Sequence, residues 1–322
     1  KRGNILMRYY FAPMEGINGY LYRRIHAHLF PGIDKYFMPF LVPHVKRSFN
    51  SKELKEIAPE NNKGLYAVPQ IMTNKAEDFI STAKKLRDLG YDEVNLNLGC
   101  PSKTVVSKGR GSGFLAYPKE LERFLDEIFE KLDMKISVKT RAGVEEEEEF
   151  LTLLDIYNRF PMEELIVHPR LQTDYYKKPV RFSVFLQASA ASRNPLCYNG
   201  DLIYAQDIER FAREFPQVDR VMIGRGLLRN PGLVREAAQG IVLDKETLRE
   251  YHDQIYEAYQ EVLYGDRNIL FRMKELWCFM GSLFEDPKKY IKKIQKSQRL
   301  SEYEQAVEGL FMQREFEGKM RR

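Results

Sequence analysis

The sequence predicts an α/β fold, a (β/α)8 TIM barrel followed by a small all-helical C-terminal domain. Three observations point to it. Short β-branched or aromatic runs, each followed by an amphipathic stretch, recur roughly every 25–35 residues, the size of one βα unit. No Gly-x-Gly-x-x-Gly follows the first run, as an open dinucleotide-binding sheet would carry. Beyond about residue 242 the strand signals stop. The chain divides accordingly into a barrel over 7–242 and a helical domain over 243–322.

In chain order the expected strands are Arg8–Met14, Asp34–Phe40, Leu65–Ile71, Glu93–Leu98, Lys135–Arg141, Glu164–His168, Pro195–Asn199 and Arg220–Gly224. Helical periodicity fills the intervals, as over Lys75–Leu89 and Pro118–Lys131. The run Glu145–Glu149 opens another helix, where carboxylates suit the positive end of the dipole. The tail reads as helices over Lys245–Leu263, Ile269–Phe284, Pro287–Gln298 and Ser301–Glu317. Lys1–Leu6, ahead of Met7, are set aside as an expression remnant.

With 322 residues, 43% of them hydrophobic, the chain can build a sizeable core. No run of some twenty apolar residues and no charged-then-apolar leader is present, so no membrane contact and a cytoplasmic address are expected. Cys100, Cys197 and Cys278 are too few and too scattered for a disulfide framework or a metal cluster. Fifty-one Lys and Arg against 46 Asp and Glu give a net charge of +5, too mild to mark a dedicated nucleic-acid binder.

Barrel enzymes place their chemistry at the carboxyl ends of the strands. There this sequence sets Pro13, Met14, Glu15 and Gly16, then Gln70, then Asn95, Asn97 and Cys100, then Lys139 and Arg141, then His168 and Arg170. Asn199-Gly200-Asp201 and Gly224-Arg225-Gly226 follow the last two strands, where barrels commonly hold a phosphate. Glycine admits close backbone approach there, and Arg225 offers a planar donor fork to phosphate oxygens. Lys139 lies inside an apolar run, a costly position for a charge unless it meets an anion or points into the barrel mouth.

Asn95-Leu96-Asn97-Leu98-Gly99-Cys100-Pro101-Ser102-Lys103 resembles the strand-end cysteine motif of the tRNA-dihydrouridine synthases. The resemblance extends to Ala12-Pro13-Met14, Gln70, Val138–Gly143, Val167–Arg170, Asn199–Asp201 and Ile223–Gly226, and reaches Arg272–Glu275 and Trp277 in the tail. Two stretches depart from the family: Pro169-Arg170-Leu171 after the histidine, and the charged loop Gly109–Gly113. Both fall where RNA should lie.

The resemblance implies FMN in the barrel mouth, NADPH as reductant, and tRNA as partner, with a uridine flipped out of its stack. Hydride from the flavin N5 would add at C6 of the uracil, and Cys100 would protonate C5, since a thiol is mostly protonated at neutral pH yet gives up its proton readily. Pro13, Met14, Glu15, Gln70, Lys139, His168, Asn199, Gly200, Asp201, Gly224 and Arg225 would bind the cofactor. Gln70 would pair with the pyrimidine-like edge of the ring, and Lys139 would sit where reduction places negative charge. Asn97, Lys103, Arg141, Arg170, Lys177 and Lys178 would hold the substrate, with no metal and with the protein a monomer.

Lys288, Lys289, Lys292, Lys293, Lys296 and Arg299 recur at helical spacing and give the tail a basic stripe for RNA. Tyr175 and Tyr176 either stack on a displaced base or pack under their loop. The residues name no particular uridine and leave transfer and ribosomal RNA both open. Two other readings stand beside this one: an FMN barrel that reduces a free pyrimidine or an enone, and a barrel that binds RNA without catalysis.

Overall fold

A computed structural model of the protein describes residues 6–43 and 49–318. Of the residues set aside at the start of the chain, only Leu6 is among them. Nine strands form one sheet: β1 (Arg8–Phe11), β2 (Lys35–Phe37), β3 (Ala67–Val68), β4 (Gln70–Ile71), β5 (Glu93–Leu98), β6 (Lys135–Gly143), β7 (Leu165–Leu171), β8 (Leu196–Tyr198) and β9 (Arg220–Ile223). Their order is β3-β2-β1-β9-β8-β7-β6-β5-β4, with parallel pairing.

The two ends of that order, β3 and β4, are consecutive pieces of one run split at Pro69, which has no N–H to place in a ladder. The Pro69 carbonyl still accepts from the Asn95 N–H at 2.9 Å. The sheet thus returns to its own starting run and closes as a barrel of eight staves.

Alternation along the strands sorts side chains between barrel interior and helices. Val94, Leu96 and Leu98 of β5 are buried on the side of the helix Ala76–Asp88, which packs on that strand. The helix Pro118–Lys131 buries Leu121, Phe124, Leu125 and Ile128, and Phe124 meets Phe79 and Phe114 edge to face. The glutamate run behaves as a helix entry: the Glu149 carboxylate accepts from the backbone N–H groups of Val144, Glu145 and Glu146 at 2.8–2.9 Å, ahead of the helix Glu149–Tyr157.

The chain forms two compact units. One holds the chain up to Pro13 with Asp34–Gly200 and Ala212–Met222; the other holds Met14–Ile33, Asp201–Phe211 and the chain from Ile223 onward. The second unit contains the C-terminal helices Lys245–Val262, Asp266–Met280, Lys288–Lys296 and Leu300–Gln313. Asp244 caps the first of them through the Thr247 N–H at 2.7 Å. Their core gathers around Trp277, whose indole N–H donates to the Tyr303 hydroxyl at 2.9 Å, with His252 and Phe311 beside it.

Candidate active site

A column of polar side chains runs through the barrel interior from floor to mouth. At the floor, Lys35 on β2 lies 2.7 Å from the Glu93 carboxylate on β5 and 2.9 Å from that of Glu164, just before β7. Tyr10 on β1 and Arg220 on β9 also donate to Glu164, at 2.8 and 3.1 Å. Each of these contacts joins strands that are not neighbours in the sheet, so they are made by side chains that point into the barrel. Burial raises Glu164 to about 6 although Lys35 favours its charged form.

By the same alternation Asn95 and Asn97 follow Glu93 up the interior of β5, and Ser137, Lys139 and Arg141 climb β6 beside them. A hydrogen-bonded ladder joins them. The Ser137 hydroxyl donates to Glu93 at 2.8 Å, Asn95 Nδ2 to Ser137 at 2.9 Å, Gln70 Nε2 to Asn95 at 2.7 Å, and Asn97 Nδ2 to Gln70 Oε1 at 2.7 Å. Asn97 Oδ1 in turn accepts the N–H groups of Gly99 and Cys100, each at 3.0 Å.

Cys100 is held from the other side as well. Its carbonyl accepts from the N–H and the hydroxyl of Ser112, at 3.0 and 2.9 Å. Gly111 makes this possible: its φ is +55°, and a β-carbon there would lie 2.7 Å from the Cys100 carbonyl oxygen. The peptide units flanking Cys100 are thus both fixed, and its side chain retains partial exposure.

Lys139 stands in register with Asn97. It has no hydrogen-bond or ion-pair partner among the described residues, and burial, with the nearby Arg141 cation second, lowers it to about 8. Arg141 is buried, donating to the Gly99, Leu171 and Tyr175 carbonyls at 2.8–2.9 Å beneath the Tyr176 ring. His168 packs by the same ring, and its Nε2 lies 3.0 Å from Arg170 Nη1. Arg170 also donates to the Lys178 carbonyl at 2.6 Å. Lys103, Lys177 and Lys178 are exposed, the last 3.5 Å from the buried Asp174 carboxylate.

Asn199 donates to the Met222 carbonyl at 2.8 Å, tying the ends of β8 and β9. Gly200 leaves room for Tyr198, whose hydroxyl would stand 2.0 Å from a β-carbon at that position. Pro13 follows β1 with partial exposure. In the second unit, Met14 N–H donates to Asn18, Glu15 is exposed, and Arg225 pairs with Asp201 at 2.6 Å. Gly224 precedes the short helix Arg225–Arg229, and Gly226 lets the Leu202 carbonyl approach.

Sequence reasoning placed Asn95 at a strand end and gave no role to Glu93, Ser137 or Ser112. The signal for the first two is a polar period of two, Glu93-x-Asn95-x-Asn97 beside Ser137-x-Lys139-x-Arg141, in strands whose other face is apolar. Among the described residues no group of three or more His, Cys, Asp or Glu could hold a metal ion, and no helix is long and apolar enough to cross a membrane.

The dihydrouridine synthase (Dus) family model matches residues 10–315. The chain is 27% identical to tRNA-dihydrouridine synthase B of Pasteurella multocida, covering 71% of this chain and 68% of that one. It is also 27% identical to the tRNA-dihydrouridine(16) synthase of Aquipseudomonas alcaligenes, over 72% and 75%. Among solved structures, morphinone reductase in complex with tetrahydroNAD superposes with a TM-score of 0.52 at 13% identity, over 74% of this chain and 88% of that one. Histamine dehydrogenase from Rhizobium sp. 4-9 gives 0.56 at 11%, over 72% of this chain and 46% of that longer one. These structural likenesses show the barrel fold.

Proposed function

The chain belongs to the dihydrouridine synthase family, and from that premise we propose that it reduces the C5=C6 bond of a specific uridine in tRNA to 5,6-dihydrouridine, with FMN as cofactor and NADPH as reductant. The observation that carries the reading is the unpartnered Lys139 ammonium, in register with Asn97 three residues before the pinned Cys100. A cation there suits an anionic ligand, and a thiol held by both adjoining peptide groups suits directed proton delivery.

The donor set fits a flavin. Gln70 keeps one amide hydrogen and one oxygen lone pair beyond those the ladder uses, Lys139 supplies the positive charge, and His168 presents an imidazole midway along β7. Pro13 and Asn199-Gly200 would contribute from the ends of β1 and β8. For Met14, Glu15, Asp201, Gly224 and Arg225 in the second unit, a cofactor role stands on residue type and on the resemblance. When bound, FMN would supply hydride to uracil C6.

The protein's part is then positional. Arg141 and Asn97 would hold the uracil edge, and the Cys100 thiol would give its proton to C5, the resulting thiolate recovering a proton from water. Lys103, Lys177, Lys178 and Arg170 would grip the displaced strand, with residues 243–322 as the RNA-binding domain. Support for the last comes from the helix Lys288–Lys296, which buries Tyr290 and Ile294 and leaves all five of its lysines exposed.

The test is site-resolved dihydrouridine mapping in RNA from cells lacking the gene, complemented with the intact protein or with Cys100→Ala. Loss at one position, restored by the intact protein alone, supports the reading. Unchanged dihydrouridine at every position would direct attention to a free pyrimidine substrate.

A further inference from the structure

The ladder inside the barrel has a direction that both of its ends require, a carboxylate at the floor that only accepts and two backbone N–H groups at the top that only donate. Glu93 Oε2 accepts from Lys35 at 2.7 Å and from the Tyr66 hydroxyl at 3.1 Å, while Oε1 faces Ser137. A carboxylate only accepts, so the Ser137 hydroxyl must donate to it and can only accept from Asn95. Asn95 must then offer its NH2 downward and its oxygen to Gln70. Gln70 must offer its NH2 to Asn95 and its oxygen to Asn97. Each amide orientation follows from the one below it, until Asn97 is left presenting its oxygen to the Gly99 and Cys100 N–H groups.

We infer that Glu93, at the floor of the barrel, is a positioning residue for Cys100, acting through Ser137, Asn95, Gln70 and Asn97 to hold the Asn97 amide with its oxygen on the cysteine loop. The orientation stands on the hydrogen bonds alone; its importance for uridine reduction rests on the function proposed above.

The inference is tested by reversing the ladder. In Glu93→Gln the new amide must keep its oxygen toward Lys35 and so turns its NH2 toward Ser137. One bond of the ladder must then be mismatched: carried to the top, the reversal turns the Asn97 NH2 against the two loop N–H groups. In Asn97→Asp the loop keeps an acceptor, but Gln70 meets an oxygen where it needs a donor. The double variant satisfies everything: the reversed ladder ends with Gln70 donating to Asp, which still accepts from Gly99 and Cys100.

The readout is site-resolved amide exchange at Gly99 and Cys100 in the purified protein, which needs neither RNA nor turnover. Exchange should rise about tenfold in Glu93→Gln, as for one lost hydrogen bond, and return close to the unsubstituted rate in the double variant. Thermal midpoints should follow the same cycle, each single variant below the parent and the double variant above both. Ser137→Ala, which interrupts the ladder and leaves the Lys35–Glu93 pair intact, should also raise exchange at both amides, and it decides the matter if Glu93→Gln does not fold. Unchanged exchange in the single variants, or a double variant worse than either, overturns the inference. A protein that shows the exchange cycle yet forms no dihydrouridine would retain the ladder and refute the proposed function instead.

Discussion

Arg170 Nη1 lies 3.0 Å from Nε2 of His168. A guanidinium cannot accept, so Nε2 is the acceptor and the neutral imidazole carries its proton on Nδ1. The imidazole nitrogen shifts of His168 should therefore report the Nδ1–H tautomer. Arg170→Ala should mix the tautomers and cost about 1.5–3 kcal/mol, the range for a hydrogen bond to a charged group. An Nε2–H signature in the unsubstituted protein would remove Arg170 from this role.

Cys100→Ala should separate chemistry from architecture. The backbone bonds to Asn97 and Ser112 do not involve the thiol, so fold and flavin content should be preserved. Dihydrouridine formation should fall by about 10²–10⁴, the usual contribution of a positioned general acid. Turnover within a few-fold of normal in single-turnover kinetics would mean that another group protonates C5.

Lys139 predicts a pH dependence. Because its folded value is lowered to about 8, the ammonium is complete well below that pH and is lost as pH rises through it. Binding of an anionic ligand should therefore be flat on the acid side and weaken above about 8, with the midpoint moving upward once the anion is bound, since an anion favours the charged form. For folding the sign is opposite: the unfolded chain holds this proton more tightly, so stability from this group rises between about 8 and the ordinary lysine value near ~10.4. FMN titrations across that range check the first limb, and Lys139→Met should erase it.

Gly111→Ala should be costly out of proportion to one methyl group. It would strain a φ of +55° and press against the Cys100 carbonyl at 2.7 Å. A loss of about 1–3 kcal/mol is expected, read from denaturant midpoints, together with altered Cys100 alkylation. Gly64→Ala, at a φ of +80° with open space around it, is the control for backbone strain alone.

The floor makes a simpler prediction. Lys35→Met leaves Glu93 and Glu164 buried without their shared cation, and should destabilise the barrel by about 3–5 kcal/mol. A change below 1 kcal/mol would show that water reaches the floor.

Much of the barrel is legible in the sequence because its signals are local. The bounds of β5 and of the helix Pro118–Lys131 match the expected ones, the strand marked by alternation and the helix by Pro118 at its start. The ends of β1 and β7 are less so. β1 stops at Phe11, before Pro13, instead of reaching Met14; β7 runs past His168 to Leu171 because Leu171 pairs with Gly143 across an irregularity in β6. That pairing is between segments distant in sequence, and nothing local announces it. The same holds within the site. Gln70, Asn97 and Cys100 are visible as polar residues at strand ends, but their mutual bonds depend on the register of β4 against β5, which no single strand encodes.

The interruption at Pro69 leaves the barrel one missing backbone rung between the staves that carry Gln70 and Asn95. The amide of Gln70, donating to Asn95, spans the same two staves and acts as a side-chain crosspiece where the main chain cannot supply one. Tolerance at this position is therefore narrow for two unrelated reasons. A substitution of Gln70 made to retune the proposed recognition at the mouth would also loosen the seam of the barrel, so a search for altered ligand preference there would have to be paired with a compensating brace elsewhere along β4 and β5.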